Sequence, residues 1–270
     1  MAPKELEKYI HEHGIIGQDA AVKAAALICY RHFVMRTASV NLFCGPTGSG
    51  KTEIWRVLAR EFPQIYIFDS SNLTNEGWKG SNKLSYHFRA MDPRIRDKCI
   101  LVFDEFDKLL ETKTSGDMNV SETVQSECLR LFDHDKLFFG ADRNDEHSLM
   151  VDCKNVSCVL LGAFDNLLKA KSLSHVSMGF GSELRSKKLG YDTTEISFSD
   201  LLKHTQIRAE ICGRIERITC LKPLSVNDYT RILLNHVDNL SKRTGCNITI
   251  DLDTLTNIAS KAINMPFGAR

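Results

Sequence analysis

The run Gly45-Pro46-Thr47-Gly48-Ser49-Gly50-Lys51-Thr52 carries the most specific chemistry in this 270-residue sequence. Glycines at its first, fourth and sixth positions let the backbone curl so that several N–H groups converge on one anion. Lys51 adds an ammonium for the β- and γ-phosphates, and the Thr52 hydroxyl is a hard oxygen ligand suited to Mg2+. With a strand before it and a helix after it, this spacing is that of a phosphate loop. It predicts that Pro46, Thr47, Gly48, Ser49, Gly50, Lys51 and Thr52 bind a nucleoside triphosphate. About fifty residues later comes Ile100-Leu101-Val102-Phe103-Asp104-Glu105, a buried strand ending in two acids. At the carboxyl end of a strand in an open α/β sheet, such acids lie beside the phosphate loop. Asp104 is then a magnesium ligand, directly or through water. Glu105 is the base that orients and deprotonates the water attacking the γ-phosphate.

These groups need elements to hold them. Val40-Asn41-Leu42-Phe43-Cys44 reads as a short buried strand entering the phosphate loop, with an amphipathic helix over 53–60 leaving it. Before it lie a polar helix over 3–13, ending at Gly14, and an Ala-rich helix over 19–33. Further strands are expected over 65–69, 99–105, 156–161 and 218–221. Helices are expected over 120–132, 225–243 and 253–262. Ser225 is the N-cap of the second of these, with Asp228 completing a capping box. Residues 70–85 and 111–120 read as polar loops, and 171–206, rich in Ser, Lys and Gly, as partly flexible. Strands alternating with helices argue for a parallel sheet covered on both faces.

Composition sets outer bounds. A formal net charge of +1 supplies no global field for nucleic acid or a membrane surface. The nine cysteines form no C-x-x-C pair and lie largely in apolar runs, as reduced core residues of a cytoplasmic protein do. No stretch approaches the length of a membrane span, and the N-terminus lacks the apolar core of a signal peptide.

Over nearly its whole length the chain resembles the AAA+ ATPase module of the Clp unfoldases, ClpX-like and HslU-related. The resemblance rests on Ile15-Ile16-Gly17-Gln18, the phosphate loop, Thr74-Asn75-Glu76-Gly77-Trp78-Lys79-Gly80 and Phe103-Asp104-Glu105-Phe106-Asp107-Lys108. It continues through Gly162-Ala163-Phe164, Met178-Gly179-Phe180-Gly181, Glu210-Ile211-Cys212-Gly213-Arg214 and Gly268-Ala269-Arg270. It implies a three-layer α/β P-loop domain over 1–221, followed over 222–270 by the start of a small α-helical domain that stops short. The nucleotide is implied to be ATP or ADP, and Ile15 and Ile16 are implied to cover its adenine. Arg214 is implied as an arginine finger serving a neighbouring subunit, with Arg217 its nearby competitor, and Arg270 as the residue reporting the γ-phosphate. Gly77, Trp78, Lys79 and Gly80 match a substrate-gripping pore loop, with Lys79 where relatives carry an aliphatic residue. Met178, Gly179 and Phe180 match a loop that docks on a barrel peptidase. The polar residue expected after strand 156–161 has no counterpart in Leu161-Gly162-Ala163, and no cysteine cluster precedes the module.

The function implied is ATP-dependent unfolding of protein substrates by a homo-oligomeric ring, a hexamer at full length. The chain as given is expected to be mostly monomeric, since Arg270 is its last residue. Alternatives are a non-proteolytic remodeller, a nucleic-acid motor (Lys79, Lys83 and Arg89 keep it open) and an ATP-binding switch without turnover.

Overall fold

The computed structural model describes residues 1–76, 82–111, 114–115, 118–140, 148–174 and 196–263. Apolar runs of five or six residues, bounded by polar segments, are too short for buried helices and pair as strands instead. In chain order the elements are α1 (Pro3–Glu12), α2 (Asp19–Phe33), β1 (Val40–Cys44), α3 (Lys51–Glu61), β2 (Ile65–Asp69), α4 (Leu84–Ala90) and β3 (Ile100–Asp104). Next come α5 (Phe106–Leu110), β4 (Thr114–Ser115), β5 (Met118–Asn119), α6 (Val120–Phe132), β6 (Lys136–Phe139), β7 (Leu149–Asp152) and β8 (Ser157–Gly162). The chain continues through α7 (Asp165–Ser174), α8 (Phe198–His204), α9 (Ala209–Cys212), β9 (Arg217–Cys220), α10 (Val226–Thr244) and α11 (Leu252–Ala262).

The central sheet has five strands in the order β2-β3-β8-β1-β9, each parallel to its neighbours. Side chains alternate across it with a period of two. Leu42, Leu101, Phe103 and Leu160 face a layer built from α4 to α9. Phe43, Ile100, Val102, Val159 and Leu161 face α1, α2 and α3. Covered on both sides, the strands can be almost wholly apolar, which is why β1 is buried at every position. The largest buried side chain on the second face is Trp55 of α3, set edge-on to Phe43 with ring centroids 5.6 Å apart. Such a pair adds roughly 0.5–1.5 kcal/mol to the burial term.

The sheet leaves and returns around β1. After β1 the chain crosses to the far edge at β2, works back through β3 and β8, and later places β9 on the other side of β1. The carboxyl end of β1 is therefore a point where connections diverge, and a crevice opens there. Two antiparallel pairs lie outside this sheet. β4 pairs with β5 inside the segment expected to be a loop, and β6 pairs with β7, where no strand was expected. Strands of two and four residues are too short for a period-two pattern to stand out. Beyond β9, Ser225 caps α10 as expected: its hydroxyl accepts from the Asp228 N–H at 3.1 Å, and the Asp228 carboxylate accepts from the Ser225 N–H at 2.9 Å. α10 and α11 pack on each other around Leu224, Tyr229 and Ala259, a cluster separate from the two that flank the sheet.

Candidate active site

The phosphate-loop segment leaves β1 through Gly45, where any side chain is excluded. A Cβ there would lie 2.8 Å from both the Cβ and the carbonyl oxygen of Leu221. At the other end Gly50 takes φ +95° as the N-cap of α3, a left-handed conformation open to glycine at little cost. The loop thus opens onto the N-terminus of α3, whose unsatisfied N–H groups favour an anion. The Lys51 ammonium folds back onto this loop, donating to the Gly45 carbonyl at 2.6 Å and the Pro46 carbonyl at 3.0 Å. Burial lowers the Lys51 pKa, and the carboxylates of Asp107, Asp104 and Asp165 partly offset that. The Ser49 hydroxyl oxygen is buried and has no hydrogen-bond partner among the described residues. A buried polar atom of this kind carries a desolvation cost that a phosphate oxygen would relieve.

Across the crevice the Thr52 hydroxyl donates to the Asp104 carboxylate at 3.0 Å. Two hard oxygens on facing elements suit a small divalent cation that keeps several water ligands. Among the described residues no cluster of three or more His, Cys, Asp or Glu side chains is arranged to hold a metal by itself. Glu105 follows at φ +57° as the N-cap of α5, and its Oε2 accepts from the Lys108 ammonium at 3.0 Å. This left-handed turn ends β3 abruptly and separates the directions of the two acids.

Asp107 is a third acid at the same place. Its carboxylate accepts from the Phe164 N–H at 3.1 Å, and burial pushes its pKa up against the opposing pull of that bond and of Lys51. Phe164 has φ +52°, and its ring closes over Gly162, the last residue of β8. A Cβ at Gly162 would meet the Phe164 ring at 2.4 Å and Asp107 Cβ at 3.0 Å. That explains why no polar side chain stands at the end of β8. The space it would need is filled by the Phe164 ring, with the Asp107 side chain beside it. Gly162→Ala is accordingly expected to lower stability by about 1–3 kcal/mol, as overpacking does, and to slow ATP turnover by displacing Asp107. A melting curve and a phosphate-release assay check both. An unchanged melt would show that the ring yields freely.

These groups line one cleft of about 710 Å³, within the range of small-molecule sites. Ile15 and Ile16, 7% and 8% exposed, form an apolar wall before α2. Thr47 to Thr52, Asp104, Glu105 and Asp107 line the polar part, and Leu161-Gly162-Ala163 the end of β8. α10 closes the cleft with Ile232, Asn235, His236 and Asn239. The sequence reading missed this contribution, although the i, i+3, i+4, i+7 spacing marks one helical face.

Not every expected site residue is brought here. Arg214 does not line the cleft. Asp133 accepts from both its Nε and its Nη2, the latter at 2.9 Å, and its Nη1 donates to the Glu210 carbonyl at 2.6 Å. Gly77, Trp78, Lys79, Gly80, Met178, Gly179, Phe180 and Arg270 lie outside the described residues.

Residues 41–163 match the model of the ATPase family associated with various cellular activities (AAA). The chain is 27% identical over 307 aligned residues to the ATP-dependent Clp protease ATP-binding subunit ClpX of Treponema denticola, covering 99% of this chain and 73% of that protein.

Proposed function

From the premise that this chain carries a ClpX-like AAA+ ATPase module and hydrolyses ATP, we propose that hydrolysis drives the unfolding and threading of protein substrates through a ring of such chains. The observation that carries the nucleotide part of this reading is the cleft in which the phosphate-loop lysine, the Thr52–Asp104 pair and Glu105 meet under an apolar wall; unfolding and threading rest on the likeness to ClpX. Residues 1–221 form the large ATPase domain, and residues from 222 onward belong to a small helical domain. Its separate cluster around Leu224, Tyr229 and Ala259 supports that division.

Each group has a definite task. Ile15 and Ile16 pack on the adenine, where two buried β-branched side chains match a flat aromatic base. Backbone N–H groups from Thr47 to Gly50 hold the β-phosphate, and Lys51 turns from the Gly45 and Pro46 carbonyls to the β- and γ-phosphates. Thr52 and Asp104 would hold Mg2+, which when bound would supply positive charge to neutralise the phosphoryl oxygens. Glu105 takes the proton of the attacking water, with Lys108 fixing one oxygen of its carboxylate. Asn235, His236 and Asn239 of α10 line the same cleft, so a nucleotide bound there would be reached from both domains. Closing them around it is the motion transmitted to substrate.

Ring assembly follows if Arg214 acts on a neighbour, since it does not line its own cleft. Its ion pair with Asp133, one-third exposed on each side, presents the guanidinium near the surface. Arg214→Ala is expected to bind nucleotide normally and to hydrolyse it about 10³-fold more slowly, the usual scale for a lost arginine finger. Mixing it with Glu105→Gln subunits should restore part of the activity, because some interfaces then pair an intact base with an intact finger. No rescue in mixed rings verified by mass would remove the shared site. No helix among the described residues is long and apolar enough to cross a membrane, and a cytoplasmic location fits that. Coupling to a barrel peptidase rests on Met178, Gly179 and Phe180 and is proposed on the resemblance alone. The experiment for the whole reading is ATPase stimulation. An unfolded protein should raise turnover and DNA should not, whereas stimulation by DNA alone would favour a nucleic-acid motor.

A further inference from the structure

Cys44 and Cys220 end neighbouring parallel strands, β1 and β9, and are paired in register. Their sulfurs lie 3.2 Å apart. Neighbouring strands run about 4.7–4.9 Å apart, inside the Cα separation a disulfide accepts. The backbone around the pair is pinned on every side. The Leu221 N–H donates to the Cys44 carbonyl at 2.7 Å. The Gln18 side-chain amide clamps Lys222 from both directions, donating to its carbonyl at 2.6 Å and accepting from its N–H at 3.0 Å. The next residue after Cys44 is Gly45, already in tight approach to Leu221, and its carbonyl holds the Lys51 ammonium.

We propose that Cys44 and Cys220 form a redox-modification site at the root of the phosphate loop, oxidised by a hydroperoxide to a disulfide that weakens nucleotide binding. The half-buried Cys220 is the point of entry, and fully buried Cys44 resolves the intermediate. The Cys220 thiolate attacks the terminal peroxide oxygen. The O–O bond breaks, the remaining oxygen leaves as water or alcohol, and Cys220 becomes a sulfenic acid. The Cys44 sulfur then attacks the Cys220 sulfur, and hydroxide leaves with the Cys44 proton as a second water. Two thiols are oxidised by two electrons and one peroxide is reduced. The hydrogen bond to Cys220 and burial hold the Cys44 thiol well above its usual range, consistent with its reacting second. A disulfide needs the sulfurs about 2.05 Å apart, so closure turns both side chains out of their present rotamers toward each other, directly before Gly45. Gly45 is packed tightly against Leu221, so the repacking forced by the cross-link is taken up in the loop whose Gly45 carbonyl holds Lys51. The cross-link itself is independent of the function proposed above. Only its effect on nucleotide rests on that reading.

The experiment treats the reduced full chain with hydrogen peroxide, maps peptides without reductant, and titrates a fluorescent ADP analogue with magnesium before and after. A Cys44–Cys220 peptide lighter by two hydrogens is expected, with affinity lower by about tenfold or more and restored by dithiothreitol. Cys220→Ser is expected to bind like the reduced protein and to ignore peroxide. Exposed Cys246 serves as the internal control. Oxidation of Cys246 without the link, or a link that leaves affinity unchanged, overturns the proposal. Failure of the reduced chain to bind the analogue would instead count against the ATP site, with the link still read by mass.

Discussion

Glu105→Gln is expected to bind ATP as tightly as the parent chain and to hydrolyse it at least about a hundredfold more slowly. The amide keeps the shape of the carboxylate, so the turn at φ +57° and the entry into α5 are undisturbed. What it loses is basicity. A neutral amide accepts no proton from the attacking water, and the two neighbouring acids are otherwise engaged. Asp104 is engaged by the Thr52 hydroxyl and by the Glu105 N–H. Asp107 is committed to the Phe164 N–H and sits under Phe164. Losing the ion pair to Lys108 matters little, since both partners are well exposed and such pairs contribute only about 0–1 kcal/mol. Equilibrium binding and phosphate release, measured on one preparation, separate the two effects. Equal turnover by parent and variant would take Glu105 out of the mechanism and bring Asp107 forward.

Lys51→Ala should fail one step earlier, at binding. Charge-assisted hydrogen bonds contribute about 1.5–3 kcal/mol each, and Lys51 is placed to make one or two with the phosphates. The expected loss is therefore about 10-fold to about 10⁴-fold in affinity for ATP. A second effect points the same way. With its ammonium gone, the Gly45 and Pro46 carbonyls lose the donor that holds them, and the loop is less organised before ligand arrives. Folding should not suffer, because removing a cation whose pKa burial already lowers takes away a desolvation cost. Calorimetric titration with ATP, beside a melting curve, gives the answer. Affinity within about twofold of the parent chain would show that the backbone N–H groups alone hold the phosphates.

Much of the site was legible in the residue order because its signals are local. A phosphate loop is eight consecutive residues, an acidic strand end is six, and a capping box is four. Each depends on backbone geometry over one turn, so Gly45 to Thr52, Asp104 and Glu105, and Ser225 with Asp228 could be assigned before any contact was known. The burial of β1, β3 and β8 on both faces was legible for the same reason, as unbroken apolar runs between polar segments. Tertiary structure decided what local signals do not encode. β1 lies between β8 and β9 only because parallel strands are joined by long crossovers, whose routes are set by packing and handedness, not by neighbouring residues. That route puts Cys44 against Cys220 and Gly162 beside Cys44. It also sets one face of α10 over a loop nearly two hundred positions earlier. Asp107 takes its place near Lys51 through the turn at Phe164, and Arg214 is held by Asp133 from α6–β6. Those pairings are long-range, and a side chain's partner across the sheet is fixed by the register of whole strands, which no short window of sequence contains.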